Sequence, residues 1–335
     1  MADAHGAGPG IEVPEHDRLA ALHEYWRSLS PGRPERTIVE FELTAHSFDK
    51  VIGVGISRMT RADVSRYRDY LLKQGLQPAT VIKRLGHLSA MVQTYVDAGR
   101  LERNVALRMR VPRSDTTRTR LPFGDEQLQS VFGSPIYTQG RRYKAGGGEA
   151  AAWLPPLALA TGGRLEELGQ LRVRDIQRHR AHGALIHITG DGVITRVKNR
   201  GSNRIIPVHP ELVRIGFLRY VDAMSRQGRD WLFPDLRADR FGHRTGNFTK
   251  WWHRHLRDPE GGNLQDGRLV FHSFRHTFKT LCRLAKVPED VHDALTGHSS
   301  VSSVGRGYGV VPVELLVDAM MSIRLPVELP VIVAE

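Results

Sequence analysis

The chain has 335 residues, 40% of them hydrophobic and 25% charged. That balance excludes wholesale disorder and fibrous classes, and the length favours two domains with sizeable cores. Lys and Arg number 48 against 36 Asp and Glu, a formal charge of +12, which points to a polyanionic partner, with nucleic acid the first candidate. Cys282 is the single cysteine, so an intramolecular disulfide and a Cys-based zinc site are both excluded, and a reducing cytoplasm is the expected compartment. No apolar run approaches the roughly 20 residues that span a bilayer, and the opening MADAHGAGPGIEVPEHD lacks a basic stretch followed by an apolar core, so no membrane association is expected.

Residues 1–16, rich in Gly, Ala, Pro and His, read as a tail. Leu19, Leu22, Tyr25 and Trp26 then recur at helical spacing, and Val64, Tyr67, Leu71 and Leu72 form a second stripe ending near Gly75. A third helix is predicted after Pro78, burying Val81, Leu85, Leu88, Met91, Val92 and Tyr95 and stopping around Gly99. Arg58, Arg61, Arg66, Arg68, Lys73, Lys83 and Arg84 stud the outer faces of these helices. A solvated surface would look the same, but their clustering in one all-helical segment, residues 17–110, favours contacts to a nucleic-acid backbone. Residues 111–123, VPRSDTTRTRLPF, lack periodicity and read as a linker.

From residue 124 the pattern is mixed. A helix begins near Asp125, capped by Gly124 or by Asp125 itself. Gly146 to Gly148 are not a phosphate-binding P-loop, because no Gly-Lys-Ser or Gly-Lys-Thr follows. Helices are predicted at about Ala150–Ala160 and Arg164–Leu171. Three short strands should follow, through Ala184 to Ile188, Val193 to Val197 and Arg204 to Val208, and helices resume at Pro210. The apolar-rich helix Val313–Leu325 packs on its own domain or on a second copy, and residues 326–335 read as a C-terminal tail. The expected fold is therefore mainly α with a small antiparallel β-sheet, the second domain spanning residues 124–325.

Four stretches carry the chemistry. In Thr161-Gly162-Gly163-Arg164-Leu165-Glu166-Glu167-Leu168, the Gly pair lets backbone approach a ligand closely. Arg164 can present a planar fork to phosphate oxygens, with Glu167 one turn on to orient it. Alone this would be an ordinary helix start with a surface ion pair. The second stretch, Val197-Lys198-Asn199-Arg200-Gly201-Ser202-Asn203-Arg204-Ile205-Ile206-Pro207-Val208, reads as a basic hairpin. There Lys198 can donate a proton to a leaving oxygen if neighbouring cations lower its pKa, while Arg200 and Arg204 grip backbone. The third, Phe271-His272-Ser273-Phe274-Arg275-His276-Thr277, places His272 and Arg275 on one helix face. His272 and His276 are spaced like metal ligands, but Ser273 stands where the metalloprotease motif has Glu, so no metal is expected. The fourth is Leu295-Thr296-Gly297-His298-Ser299-Ser300 with Gly305-Arg306-Gly307-Tyr308-Gly309 downstream.

Taken in order, these stretches resemble the signature of the tyrosine recombinase (phage integrase) family. The resemblance spans Thr161 to Tyr308, and the N-terminal helices more loosely resemble that family's core-binding domain. It implies a DNA breaking-rejoining fold and a site-specific recombinase that cuts and rejoins double-stranded DNA through a 3′-phosphotyrosine, with no metal, ATP or cofactor. In that case Tyr308 is the nucleophile, Arg164 and Arg275 bind the phosphate, Lys198 is the general acid, His272 assists proton movement and His298 hydrogen-bonds the phosphate. A tetramer on paired sites, accessory DNA-bending proteins and a cytoplasmic, nucleoid-associated location are further implications. Two departures stand out: Phe278 follows Thr277 where small residues are common, and Asn104-Val105 replaces a frequent Asn-Pro. The rival readings are a type IB topoisomerase-like DNA relaxase and a non-catalytic DNA-binding regulator of the same fold.

Overall fold

The structure, a computed structural model, describes residues 13–112, 120–189, 203–298 and 311–332. The chain divides into two units, Met1–Thr117 and Arg118–Glu335.

In the first unit four helices surround one core: α1 (Leu19–Ser28), α2 (Glu35–Ile52), α3 (Arg61–Lys73) and α4 (Pro78–Asp97). Each start has a local cause. The Asp49 carboxylate accepts the first-turn N–H groups of Leu19 and Ala20 at 2.9 and 3.0 Å, and Thr60 and Asp63 form a reciprocal capping box at α3. Pro78 occupies the first turn of α4, where its missing N–H costs nothing. The stripes of Leu19, Leu22 and Trp26, of Val64, Tyr67 and Leu71, and of Val81, Leu85, Leu88, Met91 and Val92 are all buried.

Sequence reasoning passed over α2. The face it buries carries Thr44, Ala45 and Phe48, too little apolar surface to register as a stripe. Its legible signals were punctuation: Pro34 before the first turn and Gly53 at φ 63° after the last. Phe41 on this helix stacks between Trp26 and His87, at 3.9 and 4.1 Å between centroids. Asn104 has its own local task, donating to the Ser89 carbonyl at 2.9 Å and accepting from Ala106 N–H at 3.0 Å.

The second unit is built from α5 (Asp125–Phe132), α6 (Pro135–Thr138), α7 (Glu149–Thr161), α8 (Leu165–Gly169), β1 (Ile176–His179), β2 (Gly183–Ile188), β3 (Arg204–Pro207), α9 (Pro210–Arg214), α10 (Phe217–Arg226), α11 (Gly246–His255), α12 (Ser273–Leu284), α13 (Glu289–Thr296) and α14 (Val313–Ser322). Helix α7 forms the centre, buried from Ala150 to Thr161 and packed against α12. Pro156 cannot donate to the Ala152 carbonyl one turn back, and the Tyr137 hydroxyl donates to it instead at 3.2 Å.

The sheet is antiparallel in the order β1-β2-β3, with Ile186 opposite Ile176 on one side and Ile206 on the other. Strand β1 was not anticipated, because its Gln-Arg-His run is exposed and shows no apolar alternation. The strand expected at Val193 to Val197 lies outside the described residues. Helix α14 packs on α13 and β3 of its own unit through Leu316, Ala319 and Met320. The segment read as a C-terminal tail from residue 326 packs back onto its unit. Leu329 and Ile332 are buried, and Ile332 N–H donates to the Ile215 carbonyl at 3.0 Å, because two apolar side chains in the last ten residues find room in the core. Among the described residues no helix is long and apolar enough to cross a membrane.

Candidate active site

Two helix C-termini organise the site. The last carbonyls of any α-helix lack intrahelical partners and carry the negative end of the helix dipole. Here α7 ends at Gly162 (φ 64°) and α13 at Gly297 (φ 62°), both in the left-handed conformation that lets the chain turn away. Three arginines from elsewhere are bound to the carbonyls at these ends.

Arg275, in the first turn of α12, donates one guanidinium nitrogen to the carbonyls of Gly162 at 2.8 Å and Thr296 at 2.6 Å. Arg164 donates to the carbonyl of Gly297 at 3.1 Å, and Arg204 on β3 donates Nε–H to the Leu295 carbonyl at 2.9 Å. Both glycines are required by contact as well as by conformation. A Cβ on Gly162 would lie 2.5 Å from the Phe278 ring, and one on Gly297 would lie 2.8 Å from an Arg204 nitrogen. Phe278, the departure noted in the sequence, therefore covers the Gly162 turn beneath Arg275.

Glu167 joins two of the cations. The sequence placed it one turn after Arg164; Arg164 is in fact the residue just before α8, in extended conformation, and Glu167 is the third helical position. One carboxylate oxygen accepts the Arg164 guanidinium at 2.6 Å. The other accepts the Arg164 backbone N–H at 2.9 Å and the Arg204 guanidinium at 2.8 Å. Burial alone would raise the Glu167 pKa, but its bonds to Arg204 and then Arg164 hold it below the usual carboxylate value.

The cluster keeps excess positive charge, three guanidiniums against one carboxylate. Burial, and then the fields of Arg164 and Arg204, lower the Arg275 pKa to about 10, which leaves it charged at neutral pH. Its second terminal nitrogen is buried without a hydrogen-bond partner among the described residues. An unpartnered buried N–H on a cation is costly, and an anion brought to Arg275 would relieve that cost.

Two histidines sit at the edge. His272 immediately precedes α12 and is solvent-exposed on one side, with the His276 ring at 5.1 Å. Partial desolvation, then the fields of His276, Arg275 and Arg164, lower its pKa to about 4. His298 is exposed beyond Gly297; its backbone N–H donates to the Asp293 carbonyl at 3.1 Å, and its ring stands 4.0 Å from the Asp293 carboxylate. Lys279 on α12 lies 4.0 Å from the same carboxylate. Sequence reasoning missed Lys279 and Asp293; the signals were positions one turn after Arg275 and five residues before His298.

Of the sequence-selected residues, Arg164, Glu167, Arg275, His272 and His298 come together around these helix ends. Lys198, Arg200 and Tyr308 lie outside the described residues. Arg204, expected as a DNA contact, has a side chain 6% exposed that is held inward by Glu167 and Leu295. In the first unit Arg58, Arg61, Arg66 and Lys83 are exposed and Arg84 is half-buried. Arg61 donates to the Leu107 carbonyl at 2.9 Å, Arg66 to Asp63 at 2.5 Å and Lys83 to Glu40 at 2.7 Å. Exposed ion pairs contribute at most about 1 kcal/mol each, so a polyanion can compete for Lys83.

A further basic feature escaped the sequence reading. An open groove of about 840 Å³ is lined by Arg120, His253, Arg254, Arg257, Asp258 and Val270. Its Val270 end is two residues from His272, and the field of Arg120 reaches His253, His272 and His276. Among the described residues no group of three or more His, Cys, Asp or Glu side chains is placed to hold a metal ion.

A helical unit followed by a mixed unit with a short antiparallel sheet is also the fold of solved integrase structures. Residues 150–311 match the model of the phage integrase family. The Tn1549 transposon integrase, solved in complex with transposon right-end DNA, superposes with a TM-score of 0.66 at 17% identity, covering 90% of this chain and 98% of that one. A lambda integrase (75–356) dimer bound to a COC′ core site gives a TM-score of 0.61 at 15% identity, covering 84% and 94%. A lambda integrase tetramer bound to a Holliday junction gives 0.62 at 15% identity, covering 90% and 84%. At these identities the likeness concerns the fold. No curated protein matches the chain.

Proposed function

We propose that this chain is a site-specific recombinase that breaks and rejoins double-stranded DNA through a covalent bond to Tyr308. The observation that carries the reading is the convergence of Arg164 and Arg275 on the ends of α7 and α13, with an unpartnered Arg275 N–H and with His272 and His298 at the rim. Phosphoryl transfer accumulates negative charge on the non-bridging oxygens, and two guanidinium forks pre-aimed by protein carbonyls stabilise that charge without reorganising. Arginines of this kind contribute about 10³ to 10⁵ in rate in other phosphoryl-transfer enzymes.

In the proposed step the Tyr308 oxygen attacks phosphorus and the bond from phosphorus to the 5′-oxygen breaks. The phenol proton leaves to neutral His272, and Lys198 supplies a proton to the departing 5′-oxygen. The product is a 3′-phosphotyrosine and a free 5′-hydroxyl, so the phosphodiester energy is retained and a 5′-hydroxyl from a second strand reverses the step. Arg58, Arg61, Arg66, Lys83 and Arg84 serve as backbone contacts of the first unit, and Arg200 as one of the second. By analogy with the lambda integrase tetramer on its junction, the working form is a tetramer on paired sites. Bending proteins that act with it, and a cytoplasmic, nucleoid-associated location, belong to the same reading.

The test is to incubate the protein with fragmented genomic DNA, denature, and sequence the DNA that stays attached. Wild type should yield discrete attachment sites, and Tyr308→Phe should bind the same DNA without forming adducts. Adducts from Tyr308→Phe would remove Tyr308 as nucleophile. Supercoil relaxation in the absence of paired sites would favour a topoisomerase-like activity instead.

A further inference from the structure

We infer that Arg204 is a positioning residue of this site, the brace that holds the Glu167 carboxylate, and through it the Arg164 fork, in register with the α13 end that carries Gly297 and His298. The inference rests on the strand-transfer reading above and concerns a residue whose sequence context suggested a DNA contact.

The geometry commits its fork to protein partners. The Arg204 side chain is 6% exposed. One end of its fork meets Glu167 at 2.8 Å, and Nε meets the Leu295 carbonyl at 2.9 Å. Those bonds run in different directions, to α8 and to the last turn of α13, while Arg204 itself opens β3. Three elements thus meet on one planar cation.

Carboxylate stereochemistry explains why the brace matters to Arg164. The Glu167 oxygen that takes Arg204 also takes the Arg164 backbone N–H, and its other oxygen takes the Arg164 guanidinium. Without Arg204 the shared oxygen keeps only a neutral backbone donor, and the carboxylate can rotate about its last torsion, carrying the guanidinium with it. On the α13 side, the Thr296 and Gly297 carbonyls that hold Arg275 and Arg164 follow directly after Leu295. A single side chain therefore sets the spacing of both phosphate-facing arginines, and misplacement by about 1 Å at a reacting centre can cost on the order of 100-fold in rate.

Arg204→Met keeps the apolar stem and removes the fork; Arg204→Lys keeps a charge but lacks the separated Nε and terminal donors of the planar fork. Each is compared with wild type on a mapped attachment site, at a temperature where circular dichroism shows the variant folded, measuring DNA affinity, its salt dependence and single-turnover cleavage. The expected result is unchanged affinity and salt slope with cleavage down roughly 10- to 100-fold. In an Arg164→Lys background, Arg204→Met should cost much less than in wild type, because both changes act on one fork.

Wild-type cleavage rates in both Arg204 variants would overturn the inference, as would losses that multiply fully with Arg164→Lys. A salt slope lowered by about 0.9 would reassign Arg204 to phosphate contact. Failure of wild type to cleave at all would overturn the strand-transfer reading itself, and this role with it.

Discussion

Gly162→Ala tests whether the α7 terminus is as tightly specified as its surroundings indicate. The residue sits at φ 64°, and its new methyl would lie 2.5 Å from Phe278, itself fully buried on α12. A left-handed conformation costs a residue with a side chain about 1 to 2 kcal/mol, and forcing a methyl into a packed core costs about 1 to 3 kcal/mol. Together the loss is about 2 to 5 kcal/mol, a large share of the ~5 to 15 kcal/mol that holds a typical domain together. For a unit of this size about 2 to 4 °C of melting temperature is lost per kcal/mol, so a fall of about 4 to 20 °C is expected in a circular dichroism melt. Phe278→Leu in the same chain should recover part of the steric share and none of the backbone share, giving a non-additive double mutant. Because the Gly162 carbonyl holds Arg275 at 2.8 Å, cleavage should fall further than stability explains when measured well below the transition. A shift under about 2 °C, or strict additivity with Phe278→Leu, would show that the turn relaxes freely and that the contact is not structural.

Arg164→Lys should reduce cleavage about 100-fold or more with the fold intact, since an ammonium cannot meet Glu167, the Gly297 carbonyl and a phosphate together; near-wild-type cleavage would remove Arg164 from the chemistry. His272 should titrate by NMR near 4, well below the ordinary 6.5. Its unfolded form then binds the extra proton first, so its stabilising share is complete above about pH 6.5 and declines as pH falls toward 4; a ring pKa of 6 or higher would refute the cationic setting. Replacing Arg254 and Arg257 of the groove by Gln should reduce the slope of log affinity against log salt by about 0.9 for each phosphate that these side chains neutralise. An unchanged slope would mean that the groove lies off the DNA path.

Much of the fold was legible because burial leaves a local periodic trace. The stripes of α1, α3 and α4 and the buried α7 are apolar enough to identify from the residues alone, whereas the helix-ending role of Gly162 and Gly297 came from the structure. Where burial relies on Thr44 and Ala45, as in α2, or where a strand is exposed, as in β1, that trace is absent. The aromatic sandwich of Trp26, Phe41 and His87 was equally unreadable, since those rings are brought together only by packing.

For the candidate site, Arg164, Glu167, Arg275, His272 and His298 were selected by an ordered set of stretches that together resemble a family signature, since a stretch taken alone also fits an ordinary helix start or turn. The direction in which each side chain points is a different kind of fact. Arg204 and Arg200 read alike as hairpin cations, yet Arg204 is turned inward by partners 37 and 91 residues away. Arg275 likewise rests on carbonyls 113 and 21 residues distant. The chain alone determined which groups are available and which segments coil; only the tertiary structure decided which helix ends meet and which cations their unpaired carbonyls capture. The physical reason is that helix periodicity is a property of neighbours within a turn or two, whereas a hydrogen bond to a helix terminus depends on how distant elements pack.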